Sequence, residues 1–340
     1  MLRRHATQTA GLLFVAALAV AGCGGGTSTG SQSGGGGTGG GTIVVAYQPQ
    51  DINSQGIAKT LFTKYKNYTI EYKDFSSGAD VYRAMQSGAV DFGLIGNAPY
   101  TIAISKGSDY KATWLYDVGT TGEALVVRQG KGINTVKDLK GQKIAVPFGS
   151  TADYMVRGTL EAAGLKPNDV KLINLAPAAM QAAWQRGDID AAYIFNPVLD
   201  QLVAMNGTVI ATDQELSQKG YLAADLGVVK ASLLKSDPDL VNAWMKANVD
   251  AVNMIKNDPP KAVEVSSKAY GVDAKTIQSA FDGYQLPTKD QVLAPNMLPA
   301  VGKGLYTIAQ LLKEEGLVGS VGPSTTYEQA VDATVLQRLP

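Results

Sequence analysis

The sequence predicts an α/β protein built as two lobes, with a helical C-terminal region. Three observations support this fold class. Short apolar runs alternate with amphipathic stretches from Thr42 to about Val229, which is the pattern of alternating strands and helices. One pattern of Gly, Asp and Asn occurs twice, 99 residues apart. The chain has 340 residues, which is enough for two domains of ordinary size.

The first series of elements begins with a β-branched run at 43–47, which is typical of a buried strand. A helix is expected directly after it, at 53–65. The alternation then predicts strands at 68–75, 90–95, 114–117 and 124–128, and helices at 78–86 and 98–105.

The second series begins with a strand at 143–146 and a helix at 151–163. Pro177 suits the first turn of the next helix, because its fixed φ is helical and its missing N–H is not needed there. Further strands are predicted at 170–175, 190–195 and 226–229, and further helices at 239–256, 261–269, 274–281, 299–315 and 327–337. Such alternation favours parallel sheets that are covered by helices on both faces.

The internal repeat joins the segment from Gly88 to Pro99 with the segment from Gly187 to Pro197. In both segments an Asp follows the Gly by three residues and an Asn follows it by nine. The repeat indicates two lobes on one supersecondary plan, although chance similarity of two turns is an alternative. The two Asp residues, Asp91 and Asp190, are interpreted as turn formers rather than ligands.

The N-terminus has the pattern of a secretory leader. Arg3 and Arg4 precede an apolar run at 11–21, which is too short to span a bilayer. The small residues before Cys23 resemble the bacterial lipobox, in which the cysteine is lipidated. We therefore expect a leader at 1–22, and a lipidated Cys23 with a Gly/Ser/Thr tether at 23–41 whose reach is roughly 25 Å. An ordinary leader with an incidental cysteine is the alternative.

Composition limits the chemistry of the processed chain. Removing 22 of 340 residues leaves 318, with 28 Lys and Arg against 30 Asp and Glu. His5 and Cys23 are the only histidine and cysteine, so Ser-His-Asp, Cys-His and histidine-metal chemistry are excluded. The near-neutral charge gives no support for nucleic-acid binding. We expect a binding protein without cofactor or metal, although an enzyme that uses only carboxylates or lysine stays open.

A binding cleft is expected where the strand C-termini and helix N-termini of both lobes meet. Helix N-termini offer free N–H groups and positive partial charge, which suit anions. The loops that qualify are rich in small and hydroxyl residues and lie at 76–78, 96–97, 149–151 and 195–196. Each alone is an ordinary N-cap. Together they predict an anion site that is shared by the two lobes.

Six segments of the chain carry a family resemblance: Val45-Ala-Tyr-Gln48, Phe75-Ser-Ser-Gly-Ala79, Glu123-Ala-Leu-Val-Val127, Asp138-Leu-Lys-Gly-Gln-Lys-Ile-Ala-Val-Pro147, Ser150-Thr-Ala-Asp-Tyr154 and Ala183-Trp-Gln-Arg-Gly-Asp-Ile-Asp190. They resemble the solute-binding proteins of ABC importers for taurine, aliphatic sulfonates and nitrate, most of all the taurine branch. The resemblance covers 42–340 and is weaker after about Val229.

The resemblance implies a type II periplasmic-binding-protein fold with two crossovers that closes on its ligand. Lobe 1 would comprise 42–127 and 226–340, and lobe 2 would comprise 128–225. It also implies a monomer on the outer face of the cell membrane that delivers taurine or a sulfonate to an ABC permease with its ATPase. A membrane-tethered solute sensor, or a binding protein for nitrate or alkanesulfonates, remains an alternative.

The residues that this resemblance places at the cleft are Gln48, Ser77, Glu123, Ser150, Thr151, Tyr154, Trp184 and Asp225, and the loop pattern adds Asn97 and Asn196. Hydroxyl groups and helix N-termini would hold a sulfonate, whereas Glu123 and Asp225 would hold an ammonium group. Tyr47, Tyr154 and Trp184 would wall the carbon chain. The sequence departs from the taurine branch at Asn97-Ala98 and Phe195-Asn196. For Glu123, Asp225 and Trp184 a purely structural role is the alternative.

Overall fold

The computed structural model describes residues 40–49, 51–119 and 121–339. The predictions for the leader, for Cys23 and for the tether up to Gly39 lie outside these residues. Within the described ranges, no helix is both long and apolar enough to cross a membrane. The strands are β1 Thr42–Tyr47, β2 Lys64–Tyr65, β3 Tyr68–Asp74, β4 Phe92–Gly96, β5 Tyr110–Val118, β6 Glu123–Arg128, β7 Lys143–Val146, β8 Lys171–Asn174, β9 Ala191–Phe195, β10 Gly207–Thr212 and β11 Ala224–Lys230.

The helices cover both sheets and form most of the chain after β11. They are α1 Gln55–Leu61, α2 Gly78–Gln86, α3 Asn97–Ser105, α4 Thr151–Ala162, α5 Pro177–Arg186, α6 Val198–Ala204, α7 Asp213–Ser217, α8 Ala231–Ser236, α9 Pro238–Asn257, α10 Pro259–Tyr270, α11 Ala274–Gly283, α12 Lys289–Val292, α13 Leu298–Glu314, α14 Ser324–Glu328 and α15 Thr334–Gln337.

Two separate sheets confirm the two-lobe α/β fold. The first has the order β2-β3-β1-β4-β11-β5, and the second has the order β10-β6-β9-β7-β8. Each has a parallel centre, in which β1 pairs with β3 and β4, and β7 pairs with β8 and β9. The sheets are nevertheless mixed, since β11 runs antiparallel to β4 and β5, and β6 runs antiparallel to β9 and β10.

The strand Glu123–Arg128 corrects the predicted lobe boundary at 127. It pairs with β9 and β10 in the second sheet, so the chain leaves the first sheet after Val118 rather than after Arg128. It returns before Ala224, where β11 enters the first sheet. The apolar run of this strand predicts burial equally well in either sheet, because the choice of sheet depends on pairing with strands distant in sequence.

The internal repeat corresponds to one structural unit in each sheet. Asp91 Oδ2 accepts a hydrogen bond from Val44 N at 2.9 Å, and Asp190 Oδ2 accepts one from Lys143 N at 3.0 Å. In both cases the Asp precedes the third strand of its unit and binds the amide at or near the start of the first. This confirms their interpretation as structural residues and the shared plan, β1-α1-β3-α2-β4-α3 in one lobe and β7-α4-β8-α5-β9-α6 in the other.

Two of the predicted helices are wrong in extent. The helix expected at 53–65 ends at Leu61, and Lys64–Tyr65 instead pairs with β3 through a tight turn at Lys66, whose φ is 48°. The helix expected at 327–337 is split into α14 and α15 by a bridge between Val331 and Ala112. In both places strand pairing prevails over local helix propensity, with the neighbouring β3 in the first case and with the distant β5 in the second.

Candidate functional site

A small cavity lies where the strand ends of the two sheets meet. It contains about 370 Å³ of space between protein atoms, part of which is open to solvent. This volume is at the small end of the usual range for ligand sites, so it suits a small ligand. The cavity is lined by Gln48, Asp51, Gly78, Gly96, Pro99, Glu123, Ser150, Thr151, Phe195, Asp225 and Tyr284.

One part of the lining, which we call the hydroxyl half, consists of Gly78, Ser150 and Thr151 at the N-termini of α2 and α4. Ser150 caps α4 by accepting from Asp153 N at 3.3 Å, and its own O–H donates to Pro147 O at 2.6 Å. Thr151 Oγ1, by contrast, is buried and has no hydrogen-bond partner among the described residues. Thr151 therefore carries a hydroxyl that is available to a ligand.

Ser77 immediately precedes the hydroxyl half. Its Oγ accepts from Asp80 N at 3.3 Å, which caps α2, and its hydroxyl donates to Asp80 Oδ2 at 2.9 Å. The predicted role of Ser77 as a ligand hydroxyl remains a prediction. Its observed hydrogen bonds are those of an N-cap.

Gly96 brings the hydroxyl half close to the acidic residues. A Cβ atom at this position would lie 2.0 Å from Thr151 Oγ1 and 3.4 Å from Asp225 Oδ1. The φ of Gly96 is −61°, which any residue adopts, so glycine is needed here for space rather than for backbone conformation. Gly96 is thus the point at which the second lobe packs onto the first beside the cavity.

The other part of the lining, the acidic half, consists of Asp51, Glu123 and Asp225. Tyr284 donates from its hydroxyl to Asp51 Oδ1 at 2.9 Å, and Asn53 donates from Nδ2 to Asp51 Oδ2 at 3.3 Å. Glu123 is only 9% exposed, and its Oε1 receives no hydrogen bond from the described residues. No lysine or arginine is found among the described residues that line the cavity.

Two further carboxyl groups lie behind the acidic half. Asp117 is the partner of Asp225 across β5 and β11, and its Oδ2 accepts from Asn53 at 3.4 Å. Asp213 is fully buried, and its Oδ1 accepts from the Tyr193 hydroxyl at 2.6 Å. No group of three or more metal-binding side chains in the described ranges is arranged to hold a metal ion.

The pKa values of all five acids are raised, and burial is the largest cause in each case. Mutual repulsion adds to the rise for Asp117, Glu123 and Asp225, whereas the Tyr193 hydroxyl and Glu123 hold the pKa of Asp213 at about 7. A buried group of acids without a paired cation is costly to ionise. The acidic half therefore favours a ligand that brings positive charge.

The structure brings five of the ten predicted residues to the cavity, and five lie outside its lining. The five that line it are Gln48, Glu123, Ser150, Thr151 and Asp225. The five outside it are Ser77, Asn97, Tyr154, Trp184 and Asn196.

The interactions of the four outlying residues not yet described explain their positions. Trp184 lies in the second-lobe core and donates from Nε1 to Met205 O at 3.0 Å. Asn97 donates to Leu222 O at 2.6 Å, and Asn196 accepts from Asp200 N at 3.2 Å. Tyr154 packs in the core beside α7, with its ring centre 6.0 Å from that of Tyr221. These contacts account for the four side chains outside the cavity lining, and only Asn97 among them keeps a buried oxygen, Oδ1, without a partner in the described part of the chain.

Sequence reasoning missed Asp51 and Tyr284. Asp51 lies four residues after the end of β1. Its position could have been predicted, because polar residues after a buried strand lie at the ligand-binding edge of such a sheet. Tyr284 follows α11 in the C-terminal region, far from both repeat units, and no local pattern marks it. It reaches the cavity only through tertiary packing.

With this geometry in place, comparison with known proteins identifies the class. The chain belongs to the NMT1-like family, whose profile matches residues 49–269. It is 33% identical over 302 residues to the taurine-binding periplasmic protein of Escherichia coli K12, an alignment that covers 87% of this chain and 92% of the relative.

Solved structures show the same fold. The alkanesulfonate-binding protein SsuA of Xanthomonas axonopodis pv. citri, bound to MOPS, superposes with a TM-score of 0.71 at 20% identity, covering 86% of this chain and 98% of that one. The desulfurization enzyme DszB also superposes, with a TM-score of 0.62 at 16% identity over 87% of this chain and 97% of that one. The fold alone therefore does not separate a binding protein from an enzyme.

Proposed function

We propose that this chain is the extracytoplasmic solute-binding component of an ABC importer and that its solute is taurine or a closely related aminosulfonate. The observation that carries the proposal is the cavity, in which Thr151 and two helix N-termini lie close to three carboxyl groups that have no lysine or arginine beside them in the described lining. A zwitterion with a sulfonate at one end and an ammonium at the other matches both halves.

The size of the cavity supports a short ligand. Taurine has seven non-hydrogen atoms, which suits a cavity of about 370 Å³. A plain alkanesulfonate or nitrate would leave the acidic half without a counter-charge, which is unfavourable for buried carboxyl groups. The likeness to a taurine-binding relative over most of both chains supports the same solute.

A binding role rather than catalysis is favoured by the residues available. His5 and Cys23 are the only histidine and cysteine of the chain, and both lie in or next to the predicted leader. The ligand residues that we propose are Gln48, Asp51, Glu123, Ser150, Thr151, Asp225 and Tyr284. Lobe closure around the solute would present both lobes to a permease with its ATPase, and a monomer fits this role.

Calorimetric titration of the purified protein with taurine, nitrate, sulfate and ethanesulfonate tests the solute. We expect saturable heat from taurine and much weaker heat or none from nitrate and sulfate. Equal affinity for nitrate and taurine would contradict the zwitterion assignment. No heat from any sulfonate would contradict the proposed function as a whole.

We also propose that Cys23 is lipidated after removal of residues 1–22 and that residues 24–41 tether the binding body to the outer face of the membrane. The support is the apolar run, the small residues before the cysteine and the absence of any other cysteine in the sequence. Cell fractionation of a Cys23→Ser variant should find the protein released from membranes. Its retention there would contradict the anchor.

A further inference from the structure

Asp213 contacts the acidic half from behind and does not line the cavity. It is the first residue of α7, after the Thr212 N-cap, and is completely buried. Its Oδ1 accepts from Tyr193, but its Oδ2 receives no hydrogen bond from any described donor. A buried carboxylate oxygen without a donor is costly.

The Glu123 carboxyl group lacks a hydrogen-bond donor in the same way. Its Oε1 is also buried and without a donor among the described residues, and its side chain interacts directly with that of Asp213. When both carboxyl groups are ionised, each can only accept hydrogen bonds, so neither can donate to the other. One proton held between them supplies the missing donor and satisfies both oxygens at once.

We propose that Asp213 is a positioning residue that holds Glu123 through a shared proton, and that binding of a cationic ligand group releases this proton to solvent. The inference rests on the proposed function, because it requires an ammonium in the cavity. The ammonium replaces the proton as the positive charge beside Glu123. The carboxyl pair then ionises, and the proton passes to water.

Among the described residues, those that act most strongly on the pair are acids and phenols rather than lysine or arginine. Arg157, on α4 beside α7, is already paired with Asp153 and Glu315. The titratable groups that act on the pair are Asp51, Asp117, Asp225, Tyr154, Tyr193 and Tyr284. Ionised neighbouring carboxylates oppose ionisation of the pair, whereas the Tyr193 hydroxyl donates to Asp213 and favours its ionised form. A ligand cation would add the positive charge that the pair lacks.

The sign of the pH dependence follows from linkage. Burial raises the pKa of Asp213 to about 7 and raises the pKa of Glu123 as well, so at and below about pH 7 the ligand must displace a proton. One displaced proton weakens affinity by up to about tenfold for each pH unit below the pKa of the pair. Taurine should therefore bind most tightly above about pH 7 and progressively more weakly toward pH 5.

Calorimetry in two buffers of different ionisation enthalpy counts the protons released on taurine binding. At pH 6 we expect Asp213→Asn to release fewer protons than the unmodified protein, by up to about one proton. In this variant the side-chain amide does not titrate and would donate to Glu123 while still accepting from Tyr193. The affinity of the variant should fall less steeply between pH 7 and pH 5 than that of the unmodified protein. Equal proton counts and equal pH profiles in the two proteins would overturn the proposal, as would the absence of release from the unmodified protein.

Two further variants test whether the effect of Asp213→Asn is merely structural. Glu215→Gln, on the same helix, retains the capping hydrogen bond to Thr212 and should leave the proton count unchanged. Tyr193→Phe removes only the donor that holds the pKa of Asp213 down, so its affinity should begin to fall at a higher pH. An unshifted profile in Tyr193→Phe would count against the shared proton.

A measurement without ligand separates this inference from the proposed function. A group whose pKa is raised by folding stabilises the protein at low pH, and this contribution is lost as the pH rises through the folded pKa. Between pH 5 and 8 the melting temperature of the unmodified protein should therefore fall more steeply than that of Asp213→Asn. If the melting temperatures of the two proteins depend on pH in the same way, the shared proton is contradicted even if taurine binds. If they depend on pH differently but taurine does not bind, only the proposed solute is rejected.

Discussion

The two lobes repeat one strand-helix plan but contribute different chemistry at corresponding positions. After the first strand of the repeat, lobe 1 provides Gln48 and Asp51 to the cavity, and lobe 2 provides Ser150 and Thr151. At the end of the third strand, lobe 1 has Gly96 and lobe 2 has Phe195, each eight residues after the repeated glycine. The shared fold thus determines which positions lie at the cavity. The residue type at each position determines whether it suits a cation, an anion or close packing.

Removing a charge from the acidic half is expected to have the largest effect. Asp225→Asn keeps the size of the side chain but loses the carboxylate that would face the ammonium. We expect taurine affinity to fall on the order of 100-fold, equal to about 3 kcal/mol. Ethanesulfonate, which has no ammonium, serves as the control in the same calorimetric titration. An equal loss for both ligands would mean that Asp225 is structural.

Adding one methyl group at the meeting point of the lobes tests the role of Gly96. In Gly96→Ala the new Cβ would collide with Thr151 Oγ1, so the second lobe could not pack as closely. We expect both taurine and ethanesulfonate to bind roughly 30-fold more weakly, which corresponds to an overpacking cost of about 2 kcal/mol. Gly319→Ala is the matched control, because nothing lies within 4 Å of its Cβ position. Unchanged affinity in Gly96→Ala would show that close approach at this point is not needed.

The hydroxyl half is tested by Thr151→Val, which preserves shape and removes only the free hydroxyl. A hydrogen bond to a charged group contributes about 1.5–3 kcal/mol, so both ligands should bind about tenfold or more weakly. Thr159→Val is a suitable control, since Thr159 is also buried in α4 with an unpaired hydroxyl but does not line the cavity. If the two variants bind alike, Thr151 does not contact the sulfonate.

The smallest effect on binding is expected for Trp184, which lies outside both halves. Trp184→Phe loses the hydrogen bond to Met205 O and some core volume, so the free energy of unfolding should fall by about 1–3 kcal/mol. Taurine affinity should stay unchanged. Denaturant unfolding and calorimetry together measure both quantities. A loss of affinity without a loss of stability would restore the role that the sequence predicted for it.

The sequence predicted the central strands well, because their apolar runs and the repeated Gly-x-x-Asp turn are local signals. It also predicted the position of Glu123, Thr151 and Asp225 at the cavity, whereas their role as ligand residues stays a prediction. It failed where distant strands decide the outcome, as with the pairing of Glu123–Arg128 in the second sheet. Trp184 was misplaced because an aromatic residue on a helix gives the same pattern whether it faces a core or a cavity.

The central claim is that one half of the cavity holds an ammonium and the other half holds a sulfonate. The most direct measurement is the ratio of affinities for taurine and ethanesulfonate, determined by calorimetry at pH 7.5 on the unmodified protein. The two ligands differ only in the ammonium group. We predict that taurine binds at least about 100-fold more tightly, as expected for a charge-paired group in a buried site. Equal affinity for the two would contradict the assignment of Asp51, Glu123 and Asp225 to the ligand.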